Sequence, residues 1–324
     1  MPTIIRPTLP AHRELVHLPI VSTSSIPTPP VTAARAFSLP KGNAAIAAGV
    51  TALLFGILFA RPAQSLAQVW WTDPNNGHGL LLAPLSLWLA WKAGTAPKAS
   101  PQIGLGLFML LLAIVARYAA DLAAELFVMR CSMILAVAGL VVFTGGLRQL
   151  LHWWLPFTLV TLSVPIPDVI LNSIALPLQF TASKIGAALL QTRDIPIRLS
   201  GNVILMAGKM GQPPQQLFVA EACSGLRSLT ALISLGVLLG ALFLRTWPLR
   251  VMLIALTIPV AILINGVRIF ITGFLVYFVS PEMGQGFMHT SEGMLMFGLS
   301  FLITGIITWA MSKGEDSYFS RNPA

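Results

Sequence analysis

Charge is scarce in this chain. Its 324 residues include only 20 Lys and Arg and 11 Asp and Glu, 10% of the whole, where a soluble globular domain carries about 25%. A chain so poor in charge cannot keep an ordinary globular surface in water. Cysteine is scarcer still, at two residues, Cys131 and Cys223, far apart and with no C-x-x-C or His-rich partner. That excludes a disulfide framework and a zinc site. There is no phosphate-binding glycine loop, no H-E-x-x-H and no G-x-S-x-G, so neither a cofactor nor a metal is expected. A net charge of +9 would suggest nucleic acid in a soluble domain. Here the basic residues stand singly between apolar runs, so no nucleic-acid partner is expected.

What is abundant is apolar surface: 56% hydrophobic residues and a mean hydropathy of +0.80. Apolar stretches at 44–60, 79–91, 104–120, 128–143, 153–164, 229–244, 251–278 and 293–311 are flanked by charge, Pro or Gly. The expected fold is an all-α polytopic membrane protein of about eight transmembrane helices, several short for the roughly 20 residues that cross a bilayer. The Pro/Ser/Thr-rich residues 1–43 read as a disordered cytoplasmic tail, 44–312 as the transmembrane domain and 313–324 as a second cytoplasmic tail. An uncleaved anchor is expected at 44–60. No internal repeat is visible.

With the N-terminus inside, Lys92, Lys98, Arg148, Arg245, Arg250, Lys313 and Arg321 all fall on the cytoplasmic side. Residues 61–78, 121–125, 165–222 and 280–292 then lie outside. In the 165–222 insertion, helix-spaced apolar residues interrupted by Pro177 read as an interfacial amphipathic helix. Alternation around Gly201-Asn202 and Gly211 reads as a short hairpin.

Three elements carry chemistry. Cys223, in Glu221-Ala222-Cys223-Ser224-Gly225-Leu226-Arg227, precedes an apolar helix. A helix N-terminus and Arg227 one turn on both favour a thiolate. Asn265 and Arg268 share a helix face, and a count of about 1.5 Å per residue puts Arg268 near the outer interface. Its alternative is a snorkelling boundary arginine. His289 stands just outside the last span, where a lone histidine is ordinarily a solvated loop residue. Taken together, Cys223, Arg268 and His289 reach one depth from three elements. A nucleophile, a proton shuttle and a cation are what acyl transfer through a thioester needs. Cys131 reads as a packing residue, and Asp121, Glu125 and Arg130 as an internally paired cluster. His78 either touches substrate or closes its loop.

These residues resemble the exosortase/archaeosortase family of membrane-embedded cysteine transpeptidases over about residues 44–311. The resemblance rests on Ala222-Cys223-Ser224-Gly225-Leu226-Arg227, Asn265-x-x-Arg268-Ile269, and His289 with Gly293. Gly77-His78-Gly79, opening a segment that ends Trp88-Leu89-Ala90-Trp91, extends it. It implies an enzyme of the bacterial inner membrane that recognises a C-terminal sorting signal on exported proteins: a Pro-Glu-Pro-like motif, an apolar helix and a basic tail. The enzyme would cleave there and transfer the acyl group to an acceptor, in a system linked to exopolysaccharide or surface-protein export. By the same resemblance Cys223 is the nucleophile, His289 the general base and acid, and Arg268 the oxyanion or carbonyl group. Arg227, Asn265, Glu221 and Ser224 support them. Substrate proteins, membrane lipids and an unidentified acceptor are the implied partners. The alternatives are a transporter or channel using Asn265, Arg268 and Glu221 as a polar path, or a membrane scaffold of a polysaccharide-export system.

Overall fold

A computed structural model of the chain describes residues 42–73, 76–208, 214–218, 225–280 and 286–321; the side chains of 44, 218, 225–228 and 286–293 lie outside that description. Among the described residues there are nine helices and three short strands. The helices are α1 (Asn43–Thr72), α2 (Gly79–Ala93), α3 (Ile103–Leu122), α4 (Leu126–His152), α5 (Trp154–Leu162), α6 (Asp168–Gln191), α7 (Gly225–Phe243), α8 (Trp247–Phe278) and α9 (Gly286–Arg321). The strands β1 (Ile197–Ser200), β2 (Val203–Met206) and β3 (Gln215–Phe218) stand between α6 and α7.

Helices dominate because hydrocarbon offers backbone groups no partner, and only a helix satisfies them within one segment. Six of the helices, α1, α3, α4, α6, α8 and α9, are long and apolar enough to cross a membrane. The rest are shorter. The outward faces of long and short helices alike are apolar, with Leu81 of α2, Leu111 of α3, and Leu295 and Leu302 of α9 all exposed. That is the pattern of a lipid-facing surface rather than a wet one.

Small residues set the helix contacts. Gly106 of α3 lies on the backbone of Phe143, and Gly139 of α4 on Met109 and Leu110, so this hairpin packs closely. Gly186 of α6 meets Ile269, Gly266 of α8 meets Ala182 and Ile185, and Gly273 meets Leu190. The contacts advance together on both helices, so α6 runs parallel to α8. Gly236 and Gly240 of α7 meet Ile254, Thr257 and Arg250 of α8 in reverse order, so α7 is antiparallel to it.

The loops rich in basic residues gather at one end. Gln149 accepts the Ala96 N–H at 2.7 Å and donates to the Gly94 carbonyl at 3.2 Å, while the Trp153 indole donates to the same carbonyl at 2.9 Å. The guanidinium of Arg250 stacks over Trp154, 5.8 Å from the ring centre. Buried Glu315 accepts the N–H groups of Arg245 and Thr246 at 2.8 and 2.7 Å, and Arg245 pairs with Asp316 at 3.1 Å. Three loops and the last helix are thereby tied together at the end that carries Lys92, Lys98, Arg148, Arg245 and Arg250. Near it α4 breaks at Gly146, whose φ of 77° favours glycine.

Several sequence expectations are corrected. The first helix does not stop at residue 60 but continues through Pro62 to Thr72. The stretch at 153–164 gives only the nine-residue α5. Pro177 does not interrupt α6, which is continuous for 24 residues and packs along α8. Pro177 thus takes the place of one backbone donor within a helix that tertiary packing holds. The hairpin forms around Gly201-Asn202, Ser200 facing Val203, and gains a third strand that pairs Val203 with Phe218. The stretch expected as a second cytoplasmic tail, 313–324, is helical through Arg321 as the end of α9. The expected tail at 1–43 falls outside the described residues apart from 42 and 43.

Candidate active site

The site is built around α8. Arg268 is 5% exposed and Asn265 9%, one turn apart on the same face. A lipid-facing arginine would be exposed along its stem, so Arg268 is directed into protein and does not mark the membrane boundary. The Thr272 hydroxyl donates to its carbonyl at 3.0 Å. Asn265 Oδ1 is buried without a hydrogen-bond partner among the described residues.

Two neighbours bring their ends to this level. On antiparallel α7, Gly236 sits beside Ile254. The climb of about 16 Å from Gly236 back to Gly225, taken equally up α8 from Ile254, ends at Asn265. On α9, Glu315 is fixed to Thr246. From there to residue 289 is about 39 Å of helix, and from Thr246 to Arg268 about 33 Å, so the two levels differ by roughly one turn.

The sheet comes from the other side. Ile204, Met206 and Leu217 join a buried cluster with Ala182, Leu190, Ile269 and Val276. Leu229, near the start of α7, joins another with Ala175, Leu232 and Ala261. Leu217 and Leu229 are therefore both held beside α8, by clusters that include Ile269 on one side of Arg268 and Ala261 on the other. Alternation in β2 buries Ile204 and Met206; Asn202 at the hairpin tip donates to buried Gln179 at 3.1 Å.

Of the residues singled out from sequence, Arg268 and Asn265 come together on one buried face. Cys223, Glu221 and Ser224 lie outside the described residues. Arg227 and His289 have described backbones, in the first turns of α7 and α9, and undescribed side chains. Cys131 is a half-buried free thiol of α4. The anticipated cluster of Asp121, Glu125 and Arg130 divides into three. Asp121 pairs with Arg117 at 3.3 Å and Arg61 at 3.8 Å. Glu125 accepts the N–H groups of Phe127 and Val128, capping α4. Buried Arg130 turns instead to Ser65, reaching its hydroxyl and carbonyl at 3.2 and 3.3 Å.

Sequence reasoning missed a cavity of about 450 Å³ at the end opposite the basic loops. His78, Glu125, Arg130, Asp168 and Thr230 line it, with Asp73, whose carboxylate accepts from Asn76 at 2.7 Å. Beside it the Trp70 indole donates to the Ser163 carbonyl at 2.8 Å and covers Gly79, where a Cβ would collide with the ring. The visible signal was Pro165-x-Pro167-Asp168, an acid opening a helix after a stiff turn.

A profile of the transmembrane exosortases matches residues 70–306, which takes in the Trp70 contact, the cavity lining from Asp73 to Thr230 and the whole of α8. The chain belongs to the transmembrane exosortase family. Neither a curated protein nor a solved structure matches it. Membership gives this exosortase a sorting transpeptidase role in general terms, protein substrates that carry sorting signals, and a multi-pass place in the membrane.

Proposed function

We propose that this exosortase is a cysteine transpeptidase whose nucleophile is Cys223, with His289 as general base and acid and Arg268 as the cation that stabilises the oxyanion or orients the acyl carbonyl. The observation that carries this reading is the common level on α8. Buried Arg268 and Asn265, the start of α7 two residues after Cys223, and the α9 turn that contains His289 lie within about two helical turns of each other along the bundle, with Arg268 between the other two levels. Arg227, Glu221 and Ser224 support the nucleophile from the same segment.

In this mechanism the imidazole of His289 takes the thiol proton or holds the thiolate as an ion pair. Cys223 Sγ attacks the scissile carbonyl, Arg268 meets the developing oxyanion, and the imidazolium protonates the leaving amine. An incoming acceptor amine then displaces sulfur. A planar bidentate guanidinium, buried away from water, suits the oxyanion better than an ammonium.

The arrangement we favour has eight spans over 44–312, with α6 rising parallel to α8 as part of the fifth and the sheet of the 165–222 insertion on the extracytoplasmic side. Both termini are cytoplasmic, following the basic loops. The substrates are exported proteins with a C-terminal signal, in a system tied to exopolysaccharide or surface-protein export. The test is processing of a tagged reporter ending in Pro-Glu-Pro, an apolar helix and a basic tail. Cys223→Ala and Cys223→Ser abolish it; a carrier or scaffold tolerates both.

A further inference from the structure

The reaction just described needs a second substrate, and the cavity on the side away from the basic loops offers a place for one. It has about 450 Å³, within the range of small-ligand sites. Its walls come from the ends of α1, α2, α4, α5 and α6, and from Thr230 of α7, about 8 Å of helix rise from Gly225. Its ionisable lining is uneven, with carboxylates from Asp73, Glu125 and Asp168 set against the single guanidinium of Arg130 and the imidazole of His78. Two of those carboxylates have tasks within the protein: Asp73 accepts from Asn76, and Glu125 caps α4. Arg130 is buried and bonded to Ser65. Asp168 has no side-chain partner among the described residues and stands exposed at the mouth. An excess of carboxylates, one of them uncommitted, suits a cation that donates hydrogen bonds.

We infer that this cavity is the acceptor subsite of the enzyme and takes a primary amine, whose ammonium group Asp168 holds beside the start of α7. The inference rests on the transpeptidase reading above. An acyl thioester on Cys223 and an ammonium ion give an amide, the free thiol and one proton. The nitrogen lone pair forms the C–N bond as the C–S bond breaks. Of the two protons that nitrogen sheds, one returns to sulfur and the other leaves to water by way of the carboxylate. Asp168 is thus a binding and relay group for the acceptor, distinct from the groups that cleave the signal. The amine belongs to a lipid headgroup or to a soluble molecule such as a peptide N-terminus. The apolar side chains beside it, Leu126, Phe127 and Leu171, accommodate either.

The test uses the full chain in phosphatidylglycerol nanodiscs and a photoactivatable alkyl diazirine bearing a primary amine, with mass spectrometry of the labelled peptides. Labelling is expected in 69–76 and 162–171, suppressed by ethanolamine and not by glycerol. Asp168→Asn should lower it about tenfold, the order of one lost charge-assisted hydrogen bond, and Asp168→Glu should restore it. Melting curves of each variant separate this from a role in starting α6, and Asp73→Asn offers a second, weaker perturbation. Competition by added phosphatidylethanolamine points to a lipid acceptor, and competition by triglycine to a soluble one. Equal labelling by a neutral diazirine, no loss in Asp168→Asn, or competition by the sorting-signal peptide in place of amines overturns the proposal. The same labelling in Cys223→Ala requires no acyl chemistry. Its failure is therefore distinct from failure of the transpeptidase reading, which appears as unchanged processing by that variant.

Discussion

Glu315, near the end of α9, holds the backbone of Thr246 at the start of α8, with Oε1 accepting its N–H at 2.7 Å. Sixty-nine residues separate the two in sequence. Because the neighbouring Arg245 N–H goes to the other oxygen at 2.8 Å, one buried carboxylate sets the height of α9 against α8. That height brings residue 289 to within about one turn of Arg268.

Removing the carboxylate should therefore act at a distance. Glu315→Ala leaves two backbone donors unpaired and should cost about 2–4 kcal/mol of stability, read as a lower melting temperature in detergent. Glu315→Gln keeps one acceptor and should fall between. Processing should drop in the same order, as α9 loses its register.

Overfilling the α6–α8 contact should disturb the site from the other side. A Cβ on Gly266 would come within 2.7 Å of the Ile185 side chain, so Gly266→Val should cost about 1–3 kcal/mol. It should also slow processing, since Arg268 lies two residues on. Gly298→Val, in open space on α9, should change melting by less than about 0.5 kcal/mol.

Much of this fold was legible because lipid leaves so few options. The apolar runs marked the positions of α2, α3, α4, α7, α8 and α9, and the lone basic residues marked one end of the bundle. What escaped the sequence were consequences of packing. Pro177 passes through α6, whose later turns, from Ala182 to Leu190, pack on α8. Pro62 passes through α1, so its helix runs twelve residues beyond the end of its apolar stretch. Arg130 finds Ser65, sixty-five residues away, where sequence proximity suggested Glu125. The burial of Arg268 with Asn265 was foreseeable from their spacing. The cavity was not, because its lining comes from the ends of six helices.

Arg268→Lys tests the role assigned to that burial. The lysine variant should reach the membrane at wild-type level and lose most turnover, since the planar fork is gone. Wild-type processing would make Arg268 a structural cation, and loss of the protein from membranes would make it a folding determinant.

Orientation has its own check. A membrane-impermeant maleimide should label Cys223 from outside in intact spheroplasts, as the basic loops imply. Labelling from the cytoplasmic side alone would invert the arrangement.

The central claim is a covalent one, and trapping tests it most directly. Membranes incubated with the tagged reporter and then treated with hydroxylamine should release the truncated reporter as a hydroxamate from the wild-type exosortase. His289→Ala should slow its formation by about 10² or more, the range for a lost general base, and Cys223→Ala should give none. Hydroxamate formation or processing at the wild-type rate in Cys223→Ala would contradict the account at its core.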